Sequence, residues 1–557
     1  MTLVLSGPLV LNNDMSDNIT VWLKRIKNKS RKNYLHFDFP IGEKIGKKTI
    51  KDIVNPKYVE HHQFWPFIKF TQNIEKIKPI KDYVNKHNLP QEILSLPISE
   101  LKSILKTHNE KINGKNKFLI SDSNIKHKYT RYKAREIMYA SHKDSLLYSY
   151  YSFLIEQHYE DFLDRNGISD CVSAFRRVPI DKVPNNVSLI RAKAVKLNKC
   201  NIDFANDAFT AIKQMNGCHV LAFDISGFFD NLDHGILKKN WSGLLGDSSL
   251  PQDHYRIYRS LTKYSCIERE LLFKSLGISL NNPKAISLDI LNRIERGEPV
   301  EFTPLYEKKY SPKRGYCLKK RTRLCSAREF RESLLKKGVI KVNKSKKGIP
   351  QGSSMSGMLS NIYMSEFDIE VNKFISNLNG KYFRYCDDIL VVAPFSEGVS
   401  CIDNIETFIK KEVAKLKLEI NPDKTERYSF IGESVNSLNC RIYPSGKSGR
   451  LQYLGYKFDG ENVHIRSSTM SRYKRKLRRG VKYSLRKQYK HDFSGALCLK
   501  RARQLYSHSG RSNFPTYLYR SSAILSSKAM RKQIANHLSE INNQALIIDQ
   551  RIWKKKG

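Results

Sequence analysis

Two neighbouring aspartates between apolar runs limit this chain more than any other feature. In KYFRYCDDILVVA, residues 381–393, apolar stretches flank Cys386, Asp387 and Asp388, a pattern that predicts a hairpin with the acids at its tip. Adjacent carboxylates repel, so a tight turn gains no stability from them. A divalent cation removes that repulsion. Mg²⁺ prefers carboxylate and phosphate oxygens, and two such ions can hold the attacking and leaving oxygens of a phosphoryl transfer. An Asp-Asp turn alone is a weak signal, but a partner lies upstream. In HVLAFDISGFFDNLDH, residues 219–234, Val220 to Ile225 predict a buried strand, and GFFDNLDH turns into a helix. Asp224 then ends an apolar strand, where a carboxylate is costly unless paired or bound to metal. As a helix cap, Asp230 or Asp233 would serve better.

Composition narrows the partners. The 557 residues allow two to four domains, and 98 Lys and Arg against 54 Asp and Glu leave a net charge of +44. A phosphate backbone is the partner such an excess favours, because neutralised phosphates release counterions. A membrane is not expected, since no apolar run approaches the roughly 20 residues of a spanning helix. The opening MTLVLSGPLVLNND lacks a basic region before its apolar stretch and reads as no signal peptide. The ten cysteines include no CxxC pair, and Cys317 with Cys325 lacks a completing partner for zinc. They read as free thiols in a reducing cytoplasm.

Three zones are expected: an N-terminal extension over 1–125, a mixed region over 126–460, and a basic helical region over 461–557 with 23 Lys and Arg against 4 acids. Apolar spacing predicts a helix over 134–163, and alternating strand and helix patterns beyond it indicate an α+β fold. A basic insertion at 303–347 holds 16 Lys and Arg against 3 acids. It reads either as a solvated loop or, through Tyr306, Tyr310, Tyr316 and Phe330, as a segment docking on nucleic acid.

The motifs form an ordered series. AFDISGFFDNLDH resembles the first palm motif of reverse transcriptases, GIPQGSSMSGMLSNIYM (348–364) the second and YCDD (385–388) the third. LEINPDKTE (418–426) and LQYLGYKF (451–458) resemble the two that follow, so the likeness covers roughly residues 130–460. CVSAFRR (171–177), NIDFANDAFTAI (201–212) and PQGSSMSG with YCDD resemble the bacterial defence-associated and abortive-infection branch. Retron enzymes and intron maturases usually carry other residues after PQG and an alanine before the two aspartates. A polymerase-fold scaffold that holds RNA without chemistry is the competing reading, against which the complete aspartate set stands.

The resemblance implies a right-hand polymerase of fingers, antiparallel palm and helical thumb, making cDNA from RNA. Its roles fall on Asp224, Asp387 and Asp388 as catalytic residues, with the Ile225 carbonyl as a further ligand of two Mg²⁺ ions. Phe229, five residues after Asp224, stands where the family keeps a steric gate against ribonucleotides; Phe228 is the alternative. Gln351 would meet the incoming nucleotide, and Ser353, Ser354 and Ser356 would sit in a helix near the template. Lys424 would contact phosphates or protonate pyrophosphate, and Arg176 and Lys193 would clamp the triphosphate. Tyr453, Leu454, Gly455 and Tyr456 match the primer grip. The partners implied are dNTPs, a DNA product and a structured noncoding RNA template, with self-association around shared RNA as a runner-up. A hydroxyl such as that of Tyr517 or Tyr519 is a candidate primer.

Overall fold

A computed structural model describes residues 14–27, 34–41, 45–86, 88–96, 98–113, 119–121, 128–180, 198–276, 306–311, 315–320, 323–395, 400–434, 437–489, 499–510 and 513–553. The chain divides into two units, Met1–Ile155 with Asp233–Leu359, and Glu156–Leu232 with Ser360–Gly557. Among the described residues no helix is long and apolar enough to cross a membrane.

The first unit is built on a five-stranded sheet in the order β2-β3-β1-β5-β8, where β1 is Phe67–Pro79, β2 Leu119–Ser121, β3 Lys128–Tyr139, β5 Ser265–Glu268 and β8 Lys341–Val342. β1 pairs antiparallel with β3 from Ile68↔Tyr139 to Pro79↔Lys128, and parallel with β5. The N-terminal segment therefore supplies two strands, β1 and β2, of a sheet completed by residues from 128, 265 and 341, and the structure does not divide near residue 125. Residues 134–139 are also strand, not helix; the helix begins at His142 and runs to Arg165. Long-range pairing with β1 overrides the local spacing there.

Within the basic insertion, β6 (Tyr306–Ser311) and β7 (Gly315–Lys320) form an antiparallel hairpin. The side chains of Tyr306, Tyr310 and Tyr316 lie outside the described part. Phe330 does not dock outward: its ring meets Phe37 at 5.0 Å and Trp65 at 5.1 Å, against a core of Ile68, Ile267, Leu272 and Leu334. Burial of the ring outweighs its basic surroundings. The PQG turn forms as expected. Gly352 has φ 118°, and a Cβ there would lie 2.5 Å from the Met138 carbonyl, so only glycine fits. The neighbouring Gln351 carbonyl accepts the Met138 N–H at 2.8 Å.

The second unit holds an antiparallel sheet in the order β12-β11-β4-β10-β9, with β4 Gly217–Asp224, β9 Lys381–Tyr385, β10 Asp388–Pro394, β11 Glu426–Ser434 and β12 Ser437–Ile442. The helix Asn201–Met215 places Ile202, Ala205, Ala208, Phe209 and Ile212 along one stripe, against Val220, Leu390, Val392 and Phe430. Its start is fixed by the Asp203 carboxylate, which accepts the Cys200 N–H at 2.8 Å. The same apolar cluster continues through β13 (Leu451–Tyr453), β14 (Tyr456–Phe458) and β15 (Val463–Ile465). It then takes in Tyr473, Leu477, Val481 and Leu485 from the helix Ser467–Gln488 and ends at Ile541 and Ala545. Each such large side chain contributes about 1.5–3 kcal/mol by leaving water. The other faces of that helix carry most of its arginines and lysines to the surface, with Arg475 half-buried.

A carboxylate cluster at one end of the antiparallel sheet

β4 is the central strand, and Val220, Leu221 and Phe223 are buried ahead of the carboxylate that ends it. β10 runs antiparallel beside it in the register Asp388↔Asp224, so the two aspartates face each other across paired strands. β9 and β10 close the expected hairpin, with Tyr385 opposite Asp388 and Cys386–Asp387 as its two-residue turn. Cys386 has φ 62°, a left-handed conformation unusual for a residue with a side chain. The Asp387 carbonyl accepts the Ile225 N–H at 3.2 Å, which ties the turn to the end of β4. From the other side, Asn421 N–H donates to the Asp224 carbonyl at 2.8 Å and Ser226 N–H to the Glu419 carbonyl at 2.8 Å. All three aspartates and Ile225 therefore meet at one end of the sheet.

The electrostatics follow from this crowding. Burial, then the neighbouring Asp387 and Asp224 charges, push the Asp388 carboxyl up to about 7, with Lys424 and Arg466 pulling the other way. The Lys424 ammonium is ion-paired with Asp224. Its loop is a short 3-10 turn, Pro422–Lys424, capped by the Asn421 side chain, which accepts the Asp423 N–H at 3.1 Å. Among the described residues no group of three or more His, Cys, Asp or Glu is closed around a metal position. The donor set still suits a hard cation: the Asp387 and Asp224 charges raise the proton affinity of Asp388, and Asp224 already meets an ammonium.

Around this cluster the expected residues fare unequally. Phe228 is buried and Phe229 beside it partly exposed, with ring centroids 5.5 Å apart, so Phe228 is the core residue of the pair. Asp233 caps the helix His234–Leu244 through the Gly235 and Ile236 N–H groups. Leu454 (φ 45°) and Gly455 (φ 98°) form the turn between β13 and β14. Nothing lies within 4 Å of a Cβ built on Gly455, so the turn conformation rather than a close backbone approach calls for glycine. Tyr453 and Tyr456 point into the core. The Tyr517 hydroxyl is engaged by the Tyr456 hydroxyl at 2.6 Å and by Asn201 Nδ2 at 3.0 Å, which leaves it a poor primer. In the first unit, Ser356 opens the helix Ser356–Tyr363 and donates to the Pro350 carbonyl at 2.6 Å, while Ser353 and Ser354 precede it.

Arg176 is a correction. Its side chain is turned inward, with Nε and Nη2 on Glu160 at 2.9 and 2.5 Å and Nη1 on the Ser169 and Val172 carbonyls, both at 2.5 Å. A guanidinium so committed has no fork left for a triphosphate. Lys193 lies outside the described residues.

Beneath the hairpin lies a polar group that no sequence motif announces. Arg384 and Asp368 are fully buried as a bidentate pair at 2.7 and 2.6 Å, joined by Tyr382 and Asn361. The available signal was an arginine next to Tyr382 and Phe383 in a strand, three residues before the first acid.

Residues 318–458 match the family model described as reverse transcriptase (RNA-dependent DNA polymerase). No curated protein matches the chain. Among solved structures, apo telomerase from Candida tropicalis truncated from its C-terminal domain is 12% identical, covering 66% of this chain and 59% of its own, with a TM-score of 0.32. Telomerase from Candida albicans in complex with a TWJ fragment of telomeric RNA is 14% identical, covering 83% and 65%, with a TM-score of 0.30. The chain thus spans less than two thirds of these telomerase chains.

Proposed function

We propose that this chain, whose residues 318–458 carry a reverse-transcriptase domain within an α+β fold with an antiparallel palm and a helical thumb, is an RNA-directed DNA polymerase. The observation that carries the reading is the Asp388↔Asp224 register with Asp387 in the adjoining turn, which brings three carboxylates together at one end of the sheet. Asp224, Asp387 and Asp388, with the Ile225 carbonyl, would hold two Mg²⁺ ions, which supply charge neutralisation and activation of the primer 3′-hydroxyl. The protein's own part is placement. Asp387 and Asp388 are oriented by the hairpin, and Lys424 brings its side-chain nitrogen to Asp224 at the same end of the sheet. Phe229, the more exposed of two adjacent rings, supports its reading as the gate against a 2′-hydroxyl. Gln351, in the PQG turn, serves the incoming nucleotide, and the Leu454–Gly455 turn the primer.

Purified protein should extend a DNA primer on an RNA template with dNTPs and Mg²⁺. Asp387→Ala with Asp388→Ala should abolish extension while leaving the melting temperature close to wild type. A double variant with near wild-type rate would end the polymerase reading.

The finer reading is cDNA synthesis on a structured noncoding RNA in antiviral defence. Its support is the net charge of +44, beyond what a short duplex requires, and the motif likeness to the defence-associated branch.

A further inference from the structure

Arg384 lies on β9, and its side chain is 0% exposed, as is that of Asp368 on the helix Ser365–Asn377. Nε and Nη2 meet the two Asp368 oxygens at 2.7 and 2.6 Å, and the Tyr382 hydroxyl donates to Asp368 Oδ1 at 2.7 Å. Nη1 reaches Asn361 Oδ1 at 3.2 Å and the Cys386 carbonyl at 3.2 Å. Asn361 is itself fixed, since its Nδ2 donates to the Ala174 carbonyl at 2.7 Å. The Arg384 backbone is held as well, donating to the Cys171 carbonyl at 2.8 Å and accepting from Ser173 at 3.0 Å.

A buried ion pair is a poor choice for stability alone. Removing two charges from water is costly, and apolar residues of similar volume often serve as well or better. What apolar residues lack is direction. Here the directed bond ends on the carbonyl of Cys386, the left-handed residue of the turn that carries Asp387. Strained conformations persist where surrounding groups over-determine them.

We propose that Arg384, oriented by Asp368 and Asn361, is a positioning residue that sets the Cys386–Asp387 turn so that Asp387 and Asp388 are presented beside Asp224. The role rests on the polymerase reading of that site. Arg384 touches no substrate; it acts through the turn.

Two variants of the full chain test it. Arg384→Lys keeps a charge beside Asp368 but loses the planar fork. The triple variant Arg384→Met, Asp368→Leu, Tyr382→Phe removes the buried charges and hydroxyl together, so that no uncompensated ion remains. Amide hydrogen exchange and electron paramagnetic resonance titration with Mn²⁺ are read without turnover, beside primer extension. Both variants should melt within a few degrees of wild type, yet exchange faster at residues 385–388 than elsewhere. Mn²⁺ affinity should fall roughly tenfold, and kcat about 100-fold with little change in the KM for dNTP. A merely structural group would raise exchange throughout the sheet and lower kcat in proportion to the unfolded fraction. Wild-type exchange in the turn together with wild-type Mn²⁺ affinity, in either folded variant, would overturn the proposal. Wild-type protein that shows the exchange and Mn²⁺ effects on substitution but extends no primer would sink the polymerase reading instead.

Discussion

Phe228 and Phe229 are adjacent and chemically identical, yet the chain gives them different work. Phe228 is 3% exposed, and truncating it to alanine should cost about 3–5 kcal/mol, seen as a lower denaturant midpoint. Phe229→Ala should leave stability nearly unchanged and let ribonucleotides in; comparing dNTP and NTP incorporation checks this, and unchanged discrimination would remove Phe229 as the gate. Asp388 makes a pH prediction. Its folded-state value, about 7, lies above the ordinary 3.8, so the folded protein holds the proton more tightly than the unfolded chain. The stability this contributes is fully present below the ordinary value and is lost as pH rises through about 7. Metal-free protein should therefore lose melting temperature between those limits, and Asp388→Asn should flatten the profile. The aspartates themselves could be read from sequence, because adjacent carboxylates between apolar runs have few other uses. Arg176 could not: a guanidinium suited to phosphate is equally suited to Glu160, and residue type does not choose between them.

At the scale of elements, strands whose partners are near in sequence were legible. The β9–β10 hairpin carries its own alternation and its own turn. The sheet of the first unit was not, since β1 finds β3 about 60 residues away and β5 nearly 200 away, and local spacing says nothing of such partners. Residues 134–139 satisfy a helical spacing and a strand equally, and pairing decided. The β13–β14 turn yields a further prediction. Leu454 and Gly455 both have positive φ, so Gly455→Val should strain the turn that Gly455→Asn tolerates better. The Val variant should melt lower and dissociate from primer–template faster, with dNTP KM little changed; equal off-rates would detach this turn from primer holding.

For the whole molecule, charge is the leading fact. A net of +44 predicts that the protein purifies with one structured RNA and sheds it steeply as salt rises. Sequencing that RNA checks it, and a diffuse spectrum following transcript abundance would defeat it. A different consequence comes from the apolar cluster that begins at Ile202, passes through β4, β10 and β11, and ends at Ala545. The strands that carry the aspartates and the helices near the C-terminus draw on one buried interior. Their unfolding should accordingly be a single cooperative event, seen as one calorimetric transition for this unit. A protease that nicks the chain after residue 465 should therefore release no stable catalytic core, only a fragment stripped of the buried side chains from Tyr473 to Ala545 that help hold it shut.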